Sequence, residues 1–590
     1  MIEFPTNRIA RVALPLVLSL TAGCALIPES TDTGHAPAGV VLIAAAQGEV
    51  RSDAGAQIGS PYGSYLAGLF AGRQHDLASA ADFMLDALAF DPNNPRLLGR
   101  ALMLLAGDGR HEAAVDVARR VRALDPGNGL AGLVLAVDAV SRDAYDEAGS
   151  LLESLPKRGL STVARPLLRA WLQLARGDVD GAIERIDPLQ KTNGFRVLYH
   201  LHAGLIDDVA GRAEPARAHL DEALKQAGQP SLRMVWLIGN FLERTGARER
   251  AIEIYRDYLA RGVGSTVIAA ALARAEAGGA AAPTVSDARA GMAEALFNLA
   301  SLLSQERAEE IALVHANLAL RLRPDFIVAQ VLIGEVLQAQ GRGDEAIEMY
   351  RRIPRESPFA WMVGLRIAEE LERLDRVEAA VGELERLAEA KPDRYEPLYR
   401  LGNLLRNKER FAAAVDAYDR AVKRVAVPER RHWSLFYFRG IALERLSDWD
   451  RAEKDFLKAL DLEPEQPFVM NYLAYTWVEK KMNLDKAKGM LARAVELRPD
   501  DGFIVDSLGW VHYRLGEYRD GVKYLERAVE LRSQDPVIND HLGDAYWRVG
   551  RHQEARFQWR RALSLDPEDD VAAEIRIKIE RGLGKAPDAI

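Results

Sequence analysis

The sequence is poor in cysteine, in positive charge and in long apolar runs, and each shortage excludes something. One cysteine, Cys24, stands among 590 residues. An intrachain disulfide is excluded, and so is any zinc or iron–sulfur site built from several cysteines. Lys and Arg number 77 against 86 Asp and Glu, a net charge of −9. That balance lacks the electrostatic footprint of a general nucleic-acid binder, so no nucleic-acid partner is expected. The apolar run Val12 to Leu20 is far short of the roughly 20 residues a membrane-spanning helix needs, and no other segment is long and apolar enough. Catalytic signatures are missing as well: there is no HExxH, no GxSxG and no Gly-rich phosphate loop. The histidines are scattered, and His200 and His202, two apart, point to different sides of a helix. The carboxylates are spread as helix-surface charges. No catalytic residue, metal ligand or cofactor is therefore expected, and the chain reads as non-enzymatic. Wholesale disorder is excluded by a hydrophobic fraction of 48%.

What is there begins with a leader. Arg8 and Arg11 precede the apolar run, and small residues Thr21, Ala22 and Gly23 follow it. This is the layout of a secretory signal peptide over residues 1–23. The segment Leu20-Thr21-Ala22-Gly23-Cys24 resembles a bacterial lipobox, which implies that Cys24 is acylated. Ala25 after the cysteine implies sorting to the outer membrane, with the protein anchored by lipid on its periplasmic face. The other reading is ordinary cleavage that leaves a free thiol. Residues 24–58, rich in Pro, Gly, Ser, Asp and Ala, are expected to be a flexible tether.

The body repeats itself. Ala80, Ala114, Ala148, Ala182 and Ala216 are each 34 residues apart, and Ala251 follows after 35. A second train runs Ala312, Ala346, Ala380 and Ala414, again at 34, then Ala452, Ala487, Gly521 and Ala555. Twelve residues before the marker a small residue recurs (Gly239, Gly334, Gly402, Gly543). Four after it comes a bulky apolar one (Tyr255, Tyr350, Tyr418, Trp559). Five before it there is often glycine (Gly246, Gly550), and twelve after it often proline (Pro92, Pro126, Pro464). Apolar residues at three- and four-residue steps give each helix one buried stripe. The glycine separates two helices, and the proline closes the unit. The two small residues let the helices of a hairpin approach closely.

This pattern resembles the tetratricopeptide repeat, over about residues 61–569. The resemblance implies an all-α fold, a right-handed α-α superhelical solenoid of about fourteen helix hairpins. The train is broken once, between Ala251 and Ala312. The expected organisation is therefore an N-terminal array over 59–262 with about six repeats, an irregular helix and loop over 263–292, and a C-terminal array over 293–569 with about eight. The insertion reads either as a hinge or docking element, or as a degenerate repeat with a tolerated surface loop. Residues 570–590 read as a capping helix and tail, with a short strand at Ile575 to Ile579 as the other reading.

In this family the first helix of each repeat lines a groove. The resemblance implies that Tyr399, Asn403, Arg406, Tyr437, Phe468, Asn471, Tyr475, Phe503, Trp510, Tyr513 and Trp547 face it, together with the acids Asp506, Asp540 and Asp544. Large aromatics and arginines are the usual anchors of protein interfaces. The competing reading is that several of these rings pack between neighbouring repeats. The overall plan is similar to lipid-anchored adaptors of periplasmic carboxyl-terminal processing proteases. It implies a scaffold that binds proteins or peptides and brings such a protease together with peptidoglycan hydrolases. Alternatives of the same plan are an outer-membrane assembly factor for pilus, secretion or polysaccharide export machinery and, more distantly, a cytoplasmic scaffold.

Overall fold

The computed structural model describes residues 60–584, apart from 193 and 262–264. The expected leader, Cys24 and the tether lie outside the described residues. Among the described residues the protein is all-α, as the repeat pattern requires, with thirty α-helices, one 3₁₀ turn and no strand. Six packed pairs come first: α1 (Pro61–Arg73) with α2 (Leu77–Phe90), α3 (Pro95–Gly107) with α4 (His111–Leu124), α5 (Gly129–Ser141) with α6 (Tyr145–Glu153), α7 (Ser161–Ala175) with α8 (Val179–Gln190), α9 (Arg196–Val209) with α10 (Ala213–Ala227), and α11 (Leu232–Arg244) with α12 (Arg248–Ala260). A single helix follows, α13 (Thr266–Glu276). Then come α14 (Ala288–Gln305) with α15 (Glu309–Leu322), and α16 (Ile327–Ala339) with α17 (Gly343–Arg351). Next are α18 (Ala360–Arg373) and α19 (Val377–Ala390). The remaining pairs are α20 (Glu396–Asn407) with α21 (Phe411–Arg424), α22 (Trp433–Arg445) with α23 (Trp449–Leu462), α24 (Pro467–Glu479) with α25 (Leu484–Leu497), α26 (Gly502–Arg514) with α27 (Tyr518–Leu531), and α28 (Pro536–Arg548) with α29 (His552–Ser564). Helix α30 (Asp569–Arg581) closes the chain. It settles the C-terminal alternatives as a helix, with Ile575 buried and Ile577 exposed.

The sequence markers have a single packing explanation. The marker alanines are fully buried, and the bulky residue four positions later reaches across to the small residue twelve positions before. A Cβ added to Gly239 would lie 2.3 Å from the Tyr255 ring, one on Gly402 2.4 Å from Tyr418, and one on Gly543 2.5 Å from Trp559. The paired helices therefore touch ring to backbone, which no larger residue at those glycines would permit. The position five before each marker has positive φ in nearly every unit. Where glycine stands, as at Gly246 and Gly550, φ is 82° and 86°; where it does not, Arg307, Glu409 and Ser447 adopt 60°, 56° and 64°. This left-handed residue ends the first helix, and the N–H of the next residue closes on a carbonyl five back, as Arg410 does on Leu405 at 2.8 Å.

Packing divides the chain into two compact units, one ending at Val363 and the other starting at Gly364. This differs from the division expected at 263–292. In the first unit α13 packs on α12 and α11, and the chain from Ala277 to Asp287 then turns it back. Hairpin α14–α15 does not extend the row. It lies across the first helices: α14 on α7 and α9, and α15 on α3 and α5. Hairpin α16–α17 packs on α15 and α14 in turn. The units marked by Ala312 and Ala346 thus belong to the first body. The physical reason is visible in α14 and α15, whose buried residues run almost without break from Ala290 to Phe297 and from Ala312 to Ala319. A helix apolar nearly all round needs cover on more than one side.

Candidate protein-interaction face

In both units the first helices of the hairpins pack beside one another, as α3 does with α5, α7 with α9, α20 with α22, and α26 with both α24 and α28. What covers that layer differs. In the first unit it is the chain's own hairpin α14–α15. Glu294 on α14 is fully buried and takes a two-pronged bond from Arg233 of α11, with Nε to Oε1 at 3.0 Å. Asn317 on α15 donates to the Gly107 carbonyl at the end of α3 (2.8 Å). Arg100 grips Glu310 with two bonds of 2.7 and 3.1 Å, and Arg321 reaches Glu112 (3.1 Å) and Asp138 (3.4 Å). Gly291 sits flat on the Trp171 ring, where a Cβ would come within 2.2 Å. Behind that ring His202 is fully buried, and its Nδ1 accepts the Trp171 indole N–H (3.0 Å). Burial pulls the His202 pKa down to about 4, which keeps the imidazole neutral for that bond.

In the second unit the layer carries the residues expected at a groove. Tyr399 is half-buried and donates to Ser434 (3.1 Å). Asn403 accepts from the Tyr418 hydroxyl (2.7 Å), and the Arg406 guanidinium lies 4.6 Å over Phe438. Phe468 and Phe503 are half-buried beneath Arg498 and Arg532, at 5.3 and 4.9 Å. Asn471 keeps a buried side-chain oxygen with no hydrogen-bond partner. Tyr475 is half-buried, and burial with the charge of Glu479 pushes its hydroxyl far above the usual phenol range. Trp510 is stacked between Tyr513 (4.7 Å, 10°) and His541 (4.0 Å, 15°). Its indole N–H donates to Glu479 (3.0 Å), which also takes Arg514 at 2.8 and 3.0 Å.

Three of the expected rings are consumed by packing. Tyr437 is buried among Phe438, Phe456 and Tyr472. Tyr513 is buried and accepts from Arg548 (3.4 Å). Trp547 packs on Trp559 and His552 and is roofed by the chain at Gly582. The expected residues that stay partly open on the layer are Tyr399, Asn403, Arg406, Phe468, Asn471, Tyr475, Phe503 and Trp510.

Two residues not anticipated, His541 and Lys578, brace this layer through the expected carboxylates Asp506, Asp540 and Asp544. His541 is buried with Nδ1 at 3.0 Å from both Asp506 oxygens. Burial disfavours its charged form most strongly, but the charge and hydrogen bond of Asp506, with the charges of Asp540 and Asp544, together outweigh this and raise its pKa. On α30, Lys578 binds Asp540 (2.7 Å) and Asp544 (3.0 Å). Burial, and then the charge of Asp540, push Asp544 up to about 6 despite that lysine. A usable signal existed: Asp506 and His541 stand one repeat apart at neighbouring helical positions. Among the described residues one trio could approach a metal ion, His512, Glu517 and Asp520. Lys488 already fills Glu517 with bonds of 2.7 and 2.5 Å, so the trio is a salt-bridge site.

A family model described as tetratricopeptide repeat matches residues 204–265, 365–431, 399–467 and 507–570. The matched stretches fall in both units, and proteins built of tetratricopeptide repeats act as protein-interaction scaffolds. A TPR repeat-containing protein of Pseudomonas aeruginosa is 24% identical over 194 residues, 33% of this chain and 32% of that protein. The chain thus spans about a third of the length of the curated relative it matches. Among solved structures, the Cut9–Hcn1 hetero-tetramer of the APC/C is 15% identical, covering 82% of this chain and 96% of that one, with a TM-score of 0.35. A thermophilic TPR protein of Thermus thermophilus is 22% identical, covering 31% of this chain and 97% of that one, with a TM-score of 0.27.

Proposed function

We propose that this protein is a membrane-anchored scaffold on the periplasmic face of the outer membrane, acylated at Cys24, which holds a carboxyl-terminal processing protease beside cell-wall enzymes. The observation that carries its scaffold part is the contrast between the two helix layers. In the first unit the layer is occupied by α14–α15. In the second it presents half-buried rings on successive helices, with a free amide oxygen on Asn471 between them. Half-buried aromatics supply contact area at small entropic cost, and an unpartnered amide among them suits the backbone of a bound segment. The scaffold does no chemistry. Anchorage and shared docking raise the effective concentration of protease and substrate for each other.

The sequence at Leu20–Cys24 supports the anchor, and the resemblance of the whole plan supports the choice of partner. Affinity capture from membranes tests both. Wild type should recover a processing protease and a wall hydrolase. A Phe468→Ala/Tyr475→Ala variant, folded by circular dichroism, should lose them. A Cys24→Ala variant should lose acyl label and membrane retention while still binding the purified protease. Recovery of neither enzyme contradicts the adaptor role, and absence of acyl label on wild type contradicts the anchor.

A further inference from the structure

The second helices α2, α4, α8, α10 and α12 run 14, 14, 12, 15 and 13 residues, but α6 stops after nine. Pro156, in the irregular stretch that follows, cannot continue the helix. The missing turn leaves a cavity of about 350 Å³ against α7 and α8. Lys157, Arg165, Arg169 and Arg185 line it, together with the hydroxyl residues Ser161 and Thr162 and one acid, Glu184.

The cations are under-neutralised. Glu153, at the end of α6, serves both Arg165 (2.8 Å) and Arg169. With Glu184 it leaves an excess of two positive charges, or one when the nearby Asp178 is counted, in a chain whose net charge is −9. Arg185 makes no hydrogen bond or ion pair among the described residues, feeling the charge of Asp178 only from beyond ion-pair distance, and the Arg165 Nε is buried with no partner. Burial, and after it the charges of Arg185 and Arg165, hold Arg169 below its ordinary pKa. Concentrated charge of one sign at a half-enclosed site awaits a counter-charge.

We propose that this cavity is an anion site that takes a phosphate group, carried by a small phosphate ester or by a lipid headgroup. Guanidinium forks match two phosphate oxygens at once, and Lys157 adds a point charge. The first turn of α7 lies at the same wall, and although the Thr162 and Val163 N–H groups already donate to the Gly159 and Leu160 carbonyls, the helix dipole adds favourable potential. The site is separate from the aromatic face and does not depend on the scaffold reading.

The test uses the full chain. sn-Glycerol 3-phosphate is titrated in by calorimetry. Sedimentation with phosphatidylglycerol vesicles, against phosphatidylcholine vesicles as control, reports the lipid source. R185Q removes a side chain that makes no hydrogen bond or ion pair, and K157Q sits on the loop, so both should keep the wild-type melting temperature. Saturable binding of the ester, weakened about tenfold by either variant as for a lost charge-assisted bond, supports the site with a soluble ligand. A variant-sensitive difference confined to phosphatidylglycerol vesicles supports it with a lipid headgroup, since wild type and variants share the same N-terminal segment. Equal binding by wild type and both variants, or saturation by a glutamate-rich peptide and by neither phosphate probe, overturns the proposal.

Discussion

At the residue scale, the left-handed position between paired helices gives a direct prediction. Glu409 holds φ 56°, where glycine stands in other repeats. A Cβ in that region costs on the order of 1 kcal/mol. Glu409→Gly should therefore raise stability by about 0.5–1 kcal/mol, the gain partly offset by the greater freedom of glycine in the unfolded chain. Gly246→Ala, at φ 82°, should lower it by about 1 kcal/mol or more; urea unfolding of the two variants measures both. His202 gives a pH prediction. Its folded pKa, about 4, lies below the ordinary 6.5, so the folded state binds fewer protons than the unfolded chain. That contribution is complete above pH 6.5 and is lost as pH falls toward 4. Its full size is about 3 kcal/mol. Wild type minus His202→Asn, unfolded by urea from pH 7 to pH 4.5, should show this loss; parallel curves would contradict it. Much at this scale was legible in the sequence, because a ring meeting a glycine backbone, as Tyr255 meets Gly239, leaves a fixed spacing. Tyr437 and Tyr513 were not legible. A ring at a first-helix position can face solvent or the next hairpin, and only the neighbouring side chains decide.

At the scale of elements, each helix pair was legible from its marker, but the partner of each pair was not. Hairpin α14–α15 carries the same Ala312 phase as its neighbours and yet packs across α3, α5, α7 and α9. Periodicity reports that a helix has a buried stripe; it says nothing of which layer buries it. The trace it left was composition: small residues such as Ala293, Ala295, Ala300 and Ala316 all round the hairpin, every one buried. The ion pair at its centre makes the arrangement testable. Glu294→Ala strands Arg233 in the interior without a counter-charge, which should destabilise the first unit by about 3–5 kcal/mol. Hydrogen exchange should show faster opening of α14, α15 and the helices beneath them, with protection in α24–α29 unchanged. Equal protection throughout would mean that the hairpin is not integral to the first unit.

At the scale of the whole molecule, repeated helix pairs need no single large core where nearest-neighbour stacking carries the stability, as in the second unit, while in the first α14–α15 adds packing on pairs distant in sequence. Repetition also frees the unit for different uses. One body spends its first-helix layer on holding its own hairpin, and the other carries aromatics on it. That asymmetry predicts where partners bind. The most direct test is photo-crosslinking in cells, with a photoreactive residue placed singly at Tyr475 or Phe503 on the face and at Glu496 on a second helix. We expect crosslinked protein partners from positions 475 and 503, a processing protease among them, and none from 496. Crosslinks from 496 alone, or from none of the three, would contradict the account that the second unit's first-helix layer is the surface by which this protein binds others.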